Sequence, residues 1–139
     1  MTEDNARVLQ VGVKIFLQNE KGEYLLLKKS PNHYPGIDFV WDIPGGRINA
    51  GSPLMENLKR EVMEETGIEL NCTPRLITAQ DIIRNDKHVV RLTYVGTTNA
   101  QPKLDGKEHT GFEWFSRSAL SNLKGLDSYI AEVVNAGLI

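Results

Sequence analysis

The alternation of apolar and polar positions divides the chain into strand-like and helix-like segments. Residues 7–18 mix alternation with β-branched side chains, residues 24–29 read YLLLKK, and the intervening NEKGE is typical of a turn, so the pattern predicts a β-hairpin. Further short apolar or alternating runs predict strands at residues 39–44, 75–84, 88–98 and 111–116.

Two segments follow the period of an α-helix instead. The first covers residues 53–65, with Ser52 as the expected N-cap, Pro53 at the first helical position and Gly67 as the stop. The second covers residues 128–138. Its apolar side is formed by Ile130, Val133 and Val134. Mixed strands with two main helices predict a layered α+β or α/β domain.

The helix predicted at residues 53–65 carries acidic residues beside its apolar face. The residues of that face recur every four positions and are expected to contact the sheet. They are Leu54, Leu58 and Val62. At about 100° per residue, Glu61 and Glu65 lie within a few tens of degrees of Leu54, and Glu64 lies one turn from Glu61. The carboxylates therefore converge at the border of the core face.

This convergence has two interpretations. Neighbouring carboxylates repel one another by roughly a few tenths of a kcal/mol per exposed pair, and by more when partly desolvated. Arg60 alone cannot neutralise them together with Glu56. A divalent cation such as magnesium or manganese, which prefers hard oxygen ligands, would offset the repulsion. The alternative is a solvated acidic surface without a ligand.

Composition narrows the range of partners and settings. A chain of 139 residues with 40% hydrophobic content can bury one core, so we expect a single domain over residues 1–139. A net charge of -2 gives no reason to expect a nucleic-acid partner or a membrane surface. One cysteine, a polar N-terminus and the lack of an apolar run of about 18 residues favour the cytoplasm. A monomer or a small oligomer such as a homodimer is expected.

The acidic helix and the residues around it carry a family resemblance. Eight residues stand at the spacing of the box that defines the Nudix hydrolases, which include MutT-like proteins. They are Gly46, Arg60, Glu61, Val62, Glu64, Glu65, Gly67 and Ile68. The chain resembles that pattern in all but one fixed position, where Ser52 replaces a glutamate. That glutamate pairs with the box arginine in the family, so we predict that Glu56, one turn before Arg60, takes over the pairing.

The resemblance implies both a fold and an activity. The fold is an α/β/α sandwich with a mixed sheet between helices. The activity is hydrolysis of a nucleoside diphosphate linked to another moiety, with Mg²⁺ or Mn²⁺, and a nucleoside triphosphate or related small nucleotide is the expected substrate. The alternative is a non-catalytic Nudix-like module that binds a nucleotide as a regulator. Such regulators tend to lose box carboxylates, and these are all present here.

The resemblance also assigns roles to individual residues. It implies that Glu61 and Glu65 bind the metal directly, and that Glu64 binds it directly or through water. The main chain at Gly45 approaches the metal and the phosphates closely, and Arg60 orients the carboxylates.

The general base is left open between a box glutamate, such as Glu61 or Glu64, and a later loop residue. Glu108 stands in a loop before the last predicted strand, similar to the family's late-loop position, and is the candidate, although an ordinary charged loop residue would look the same. His109 beside it is interpreted as a solvated histidine.

Other polar and aromatic residues are weaker candidates. One or two cations near strand ends are candidates for binding phosphate, among Lys28, Lys29, Arg84 and Arg91. Three aromatic residues before the box would stack on a base or belong to the core, namely Tyr34, Phe39 and Trp41.

Overall fold

A computed structural model describes residues 6–29 and 40–139. The predicted roles of Tyr34 and Phe39 lie outside these residues. The strands are β1 (Val8–Gln18), β2 (Tyr24–Lys29), β3 (Trp41–Asp42), β4 (Gly45–Arg47), β5 (Arg75–Ile83), β6 (Lys87–Thr97) and β7 (His109–Phe115). The helices are α1 (Leu54–Thr66), α2 (Arg117–Ser121) and α3 (Ser128–Asn135).

The described strands form one mixed sheet with β1 at its centre. β1 runs parallel to β6 along its whole length, and β6 pairs with β5 in the antiparallel sense. On the other side, β2 pairs with β1 at the hairpin and with β7 along its length. The short strands β3 and β4 pair with β2 and β1, so Lys14 of β1 lies opposite Gly45 of β4.

Helices cover both faces of the sheet. Successive side chains of a strand point to opposite faces, so β1 contributes to two cores. The cluster under α1 contains Val13, Ile15, Leu17, Leu58 and Val62 among its buried residues. The cluster under α2 and α3 contains Phe16, Leu120, Ile130, Val133 and Val134. The predicted α/β/α sandwich is therefore confirmed.

The start of α1 differs from the sequence prediction. The N-cap is Pro53 rather than Ser52, and no side chain caps it. Leu54 is 37% exposed, so the apolar stripe begins one turn later than predicted. The end agrees with the prediction, because Gly67 takes a left-handed conformation with φ of 70° and its N–H donates to Met63 O.

Two short elements were not predicted. β4 has three residues and α2 has five, and neither is long enough to display a periodic pattern. Within residues 6–29 and 40–139, no helix is long and apolar enough to cross a membrane.

Candidate active site

The carboxylates of α1 meet the sheet where β4 begins. Glu65 is half-buried, and its Oε1 accepts a hydrogen bond of 2.9 Å from the N–H of Gly45. The Glu61 side chain is 15% exposed, whereas that of Glu64 is 58% exposed. Glu61 and Glu65 therefore point into the molecule, and Glu64 stands at the rim.

The glycine pair before the box allows this close approach. Gly45 has φ of 144°, and a Cβ there would lie 2.0 Å from the carbonyl oxygen of Val13. A Cβ on Gly46 would lie 2.6 Å from the carboxylate of Glu61. Glycine at position 45 therefore leaves room for β4 to lie against β1. Glycine at position 46 leaves room for the carboxylate of Glu61.

Arg60 is held by three partners on α1. Its guanidinium donates to Asn57 Oδ1 at 3.0 Å, to Glu61 Oε1 at 3.1 Å and to Glu64 Oε1 at 3.3 Å. The predicted pairing of Arg60 with Glu56 is wrong, because the side chain one turn earlier that reaches the guanidinium is Asn57, and Glu56 is exposed.

Asn57 also closes the loop that precedes α1. It is fully buried, and its Oδ1 accepts from the N–H of Asn49 at 3.0 Å. Its Nδ2 donates to the carbonyl oxygens of Ser52 at 3.0 Å and Pro53 at 2.8 Å. One buried amide thus ties the loop, the helix start and the box arginine together, where the family pattern has a glutamate at the Ser52 position.

A second group of potential ligands faces Glu65 from β7. Glu108 is exposed at the end of the loop before β7, and His109, the first residue of β7, is only 6% exposed. The potential ligand atoms of Glu65, Glu108 and His109 all lie within 4.8 Å of one another. The interpretation of His109 as a solvated histidine is wrong, because the β2–β7 pairing carries it inside.

The electrostatics of this acidic region favour a cation. Burial raises the pKa of Glu65 to about 8, and the negative charges of Glu61 and Asp42 add to the effect. Burial also raises the pKa of Glu61, where Glu64 and Glu108 add repulsion. Burial lowers the pKa of His109, so its neutral form is favoured. A bound cation would stabilise the ionised carboxylates that this geometry disfavours.

Two lysines converge on a buried aspartate beside the carboxylates. Asp42 is 3% exposed and lies 3.0 Å from Lys14 Nζ and 3.1 Å from Lys29 Nζ. Burial opposes the ionisation of Asp42, but the positive charges of Lys14, Lys29 and Arg91 outweigh it and hold its pKa well below the usual range. The aspartate therefore fixes both ammonium groups in place.

A basic cleft of about 570 Å³ extends from these lysines along the sheet to β5 and β6. Its lining includes six cationic residues, Lys14, Lys29, Arg47, Arg84, Lys87 and Arg91, and two acidic ones, Asp42 and Asp86. A smaller cavity of about 390 Å³ shares Lys14, Lys29, Asp42, Gly46 and Arg47 with the cleft and reaches Glu61, Glu65 and Glu108. The basic cleft and the acidic face of α1 are therefore contiguous.

The predicted phosphate-binding cations separate into two groups. Lys29, Arg84 and Arg91 line the basic cleft, whereas Lys28 is exposed and lies outside the lining residues. Arg91 lies over the ring of Tyr129 at 5.5 Å and has Nη1 3.6 Å from Asp127 Oδ1. That Nη1 is buried without a hydrogen-bond partner among the described residues. Arg91 therefore has donor capacity available for an anion.

Trp41 belongs to the core. It contacts Phe115 edge to face at 5.1 Å and packs against the cluster under α2 and α3.

Four residues of this region were not assigned a site role from the sequence, namely Lys14, Asp42, Asn57 and His109. Lys14 and Asp42 did carry a signal, because each is a charged residue inside an apolar strand segment, which indicates a buried ion pair. Asn57 and His109 carried none, since their burial depends on contacts with elements distant in the fold.

Comparisons with known proteins agree with this architecture. The sequence profile of the NUDIX domain matches residues 8–136. A putative 8-oxo-dGTP diphosphatase of Bacillus subtilis is 29% identical over 110 residues, which are 78% of this chain and 68% of that protein. The structure of a MutT protein from Methanosarcina mazei superposes with a TM-score of 0.81 and 30% identity, covering 94% of this chain and 93% of that one.

A longer relative shares part of the sequence. The m7GpppN-mRNA hydrolase NUDT17 of Xenopus laevis is 39% identical over 70 residues, which are 49% of this chain and 23% of that protein. The matching segment is therefore less than a quarter of the longer relative.

Proposed function

Because this chain belongs to the Nudix hydrolase family, we propose that it is a metal-dependent pyrophosphohydrolase that cleaves a phosphoanhydride bond in a nucleoside triphosphate or a related small nucleotide. The observation that carries the proposal is the contact between the acidic face of α1 and the basic cleft. A polyphosphate that carries a divalent cation combines negative phosphates with a positive ion. The cations of the cleft suit the phosphates, and the carboxylates of α1 suit the metal.

The side chains at the acidic end fit a divalent cation. Glu61 and Glu65 present hard oxygen donors, Glu108 faces them, and Glu64 lies at the rim for a direct or water-mediated contact. The main chain of Gly45 lies against Glu65 and completes this wall. When bound, Mg²⁺ or Mn²⁺ would neutralise charge on the phosphate oxygens and lower the pKa of water.

The positively charged side chains orient the groups that react. Arg60 holds Glu61 and Glu64 in place through its hydrogen bonds, so its contribution is positioning. Lys14 and Lys29, fixed by Asp42 between the two ends, are set to contact phosphate oxygens. Burial of these charges away from water strengthens each interaction with a phosphate.

Glu108 is the proposed general base. It is exposed and lines the same cavity as Glu61 and Glu65. A carboxylate beside the reacting groups can accept a proton from the attacking water. A box glutamate is the alternative base.

The experiment is a phosphate-release screen with Mg²⁺ or Mn²⁺ and a coupled phosphatase or pyrophosphatase. Substrates are nucleoside triphosphates, 8-oxo-dGTP, nucleotide sugars, ADP-ribose, dinucleoside polyphosphates and capped RNA. Glu65→Gln keeps an acceptor for Gly45 N–H but removes the charge, so we expect turnover to fall at least about 100-fold. Glu56→Gln is the matched control, because that exposed glutamate lies on the same helix away from Arg60.

Turnover of one substrate class that is lost in Glu65→Gln and kept in Glu56→Gln would support the proposal. Equal activity of the two variants would contradict the role of Glu65. Nucleotide binding without turnover of any substrate would favour the regulatory module instead.

A further inference from the structure

We propose that His109 supplies a nitrogen ligand to the divalent-metal centre, beside the carboxylate of Glu65 and next to the proposed base Glu108. This inference rests on the proposed metal-dependent function and adds a ligand to it. It also implies that the centre prefers Mn²⁺ to Mg²⁺.

The spacing of the three side chains suits a shared ion. Their ligand atoms lie within 4.8 Å of one another. Metal–ligand bonds of about 2.2 Å place two ligands on opposite sides of an ion about 4.4 Å apart, so shifts of a few tenths of an ångström are sufficient. The group thus has the dimensions of a coordination sphere.

The His109 ring is buried without a hydrogen bond to the residues that the structure describes. A hydrogen bond needs about 2.7–3.2 Å between heavy atoms, and within residues 6–29 and 40–139 no side chain or main-chain group makes one with the His109 ring. Yet His109 is only 6% exposed. The ring nitrogens are not among the fully buried atoms that lack a partner, so they open into the cavity that His109 shares with Glu65 and Glu108, where a cation can reach them.

A bulge in the sheet directs His109 inward. β7 pairs with β2 in register from Phe115 to Gly111, and the register then shifts, so that Lys29 lies opposite His109 rather than Thr110. β-Bulges commonly re-aim a side chain next to a functional site. Here Thr110 is exposed and His109 is buried against Glu65, so the bulge brings the imidazole to the acidic end of the cleft.

The nitrogen donor changes the expected metal preference. Mg²⁺ favours oxygen ligands and water, whereas imidazole is a better ligand for first-row transition metals. A site with carboxylates alone would leave Mg²⁺ and Mn²⁺ more evenly matched than one that also contains His109. Manganese is the useful probe because its unpaired electrons report directly bound nitrogen.

The test is pulsed electron paramagnetic resonance of the full chain, without a histidine tag, loaded with one equivalent of Mn²⁺. The wild-type protein is expected to show coupling to a directly bound ¹⁴N nucleus. The same protein grown with ¹⁵N-histidine should show the coupling change to that of ¹⁵N. This measurement needs no variant, so it stands even where a substitution at position 109 impairs folding.

Three variants locate the nitrogen. The chain has three histidines, and His109→Gln should abolish the nitrogen coupling and weaken Mn²⁺ binding at least about tenfold, with a smaller loss of Mg²⁺ binding. His88→Gln and His33→Gln are matched controls. His88 is paired with Asp81 at 2.7 Å and is not a lining residue of the cleft, and both controls should keep the signal. Thermal unfolding in EDTA checks that each variant folds.

The results separate this inference from the proposed function. Mn²⁺ binding and turnover without nitrogen coupling, or coupling that survives in His109→Gln, would overturn the role of His109 and leave the hydrolase proposal intact. Nitrogen coupling that is lost only in His109→Gln, in a protein that turns over no nucleotide, would support the ligand and overturn the hydrolase proposal.

Discussion

Glu65 shows at the scale of one residue how burial changes a side chain. Its pKa rises to about 8, mainly through burial, and the nearby charge of Lys14 and the N–H of Gly45 compensate only in part. The metal-free fold therefore favours the protonated acid near neutral pH. Metal binding then requires release of that proton, so affinity should rise with pH through about 8.

The stability of the metal-free protein should also depend on pH because of Glu65. A folded pKa of about 8 against an ordinary value of 4.5 means that the folded state binds the Glu65 proton more tightly than the unfolded chain does. Its contribution is fully present below about pH 4.5 and is lost as the pH rises through about 8, amounting to about 5 kcal/mol.

Urea unfolding in EDTA near pH 5 and pH 8 measures this effect. Glu65→Gln is neutral throughout, so its stability relative to wild type should increase towards pH 8. If the difference in the free energy of unfolding between wild type and Glu65→Gln did not change with pH, Glu65 would have its ordinary pKa.

At the scale of one element, α1 depends on a single buried amide for its start. No side chain caps the helix at Pro53, and Asn57 instead ties the preceding turn by donating from Nδ2 to the carbonyl oxygens of Ser52 and Pro53. Its Oδ1 also accepts from Arg60 and holds the guanidinium against the carboxylates. The helix start and the orientation of the site are thus coupled through one residue.

Asn57→Ala should therefore affect both stability and activity. Loss of its four hydrogen bonds leaves the half-buried N–H of Asn49 and carbonyl of Ser52 without their partner, and we expect the free energy of unfolding to fall by about 2–3 kcal/mol. Release of Arg60 should lower kcat roughly tenfold. Urea unfolding and steady-state kinetics measure the two effects. Glu56→Ala, on the exposed side of the same turn, should change neither; equal losses in both variants would contradict the role given to Asn57.

At the scale of the whole molecule, charge is separated although the chain as a whole carries only -2. Six cations, Lys14 among them, line the cleft, and the carboxylates of Glu61, Glu65 and Glu108 line the adjoining cavity. Elements far apart in the chain supply these charges, so the field at the cleft arises only on folding.

The far end of the cleft should bind substrate without taking part in the reaction. Arg84→Gln and Lys87→Gln remove charge far along the sheet from the carboxylates, and we expect KM to rise roughly threefold to tenfold with kcat unchanged. The salt dependence of kcat/KM should weaken in parallel. Lys28→Gln, outside the cleft lining, is the control. A fall in kcat instead would mean that these cations contact the reacting phosphate.

The sequence predicted most elements because their signals are local. The hairpin of β1 and β2 and the long strands β5 and β6 match their predicted segments to within one or two residues, since alternation and turn residues specify them. The bounds of α1 were one residue off at each end, and the N-cap was misassigned, because Pro53 is extended, with ψ of 152°, and the helix begins only at Leu54.

The sequence by itself determined the fold class and the acidic face of α1. Residues three and four apart share one side of a helix, so the box spacing converts directly into a position in space. The structure brings Glu61 and Glu65 to the sheet in agreement with that geometry, while their roles as metal ligands remain predictions.

Only the tertiary structure decided what surrounds that face. The pairing of Lys14 with Asp42 spans 28 positions, and His109 reaches Glu65 through a bulge in β7. Such contacts depend on strand register and on distances between remote segments, which no local pattern encodes. Helix geometry thus decided the acidic face, and the packing of the sheet decided its charge environment.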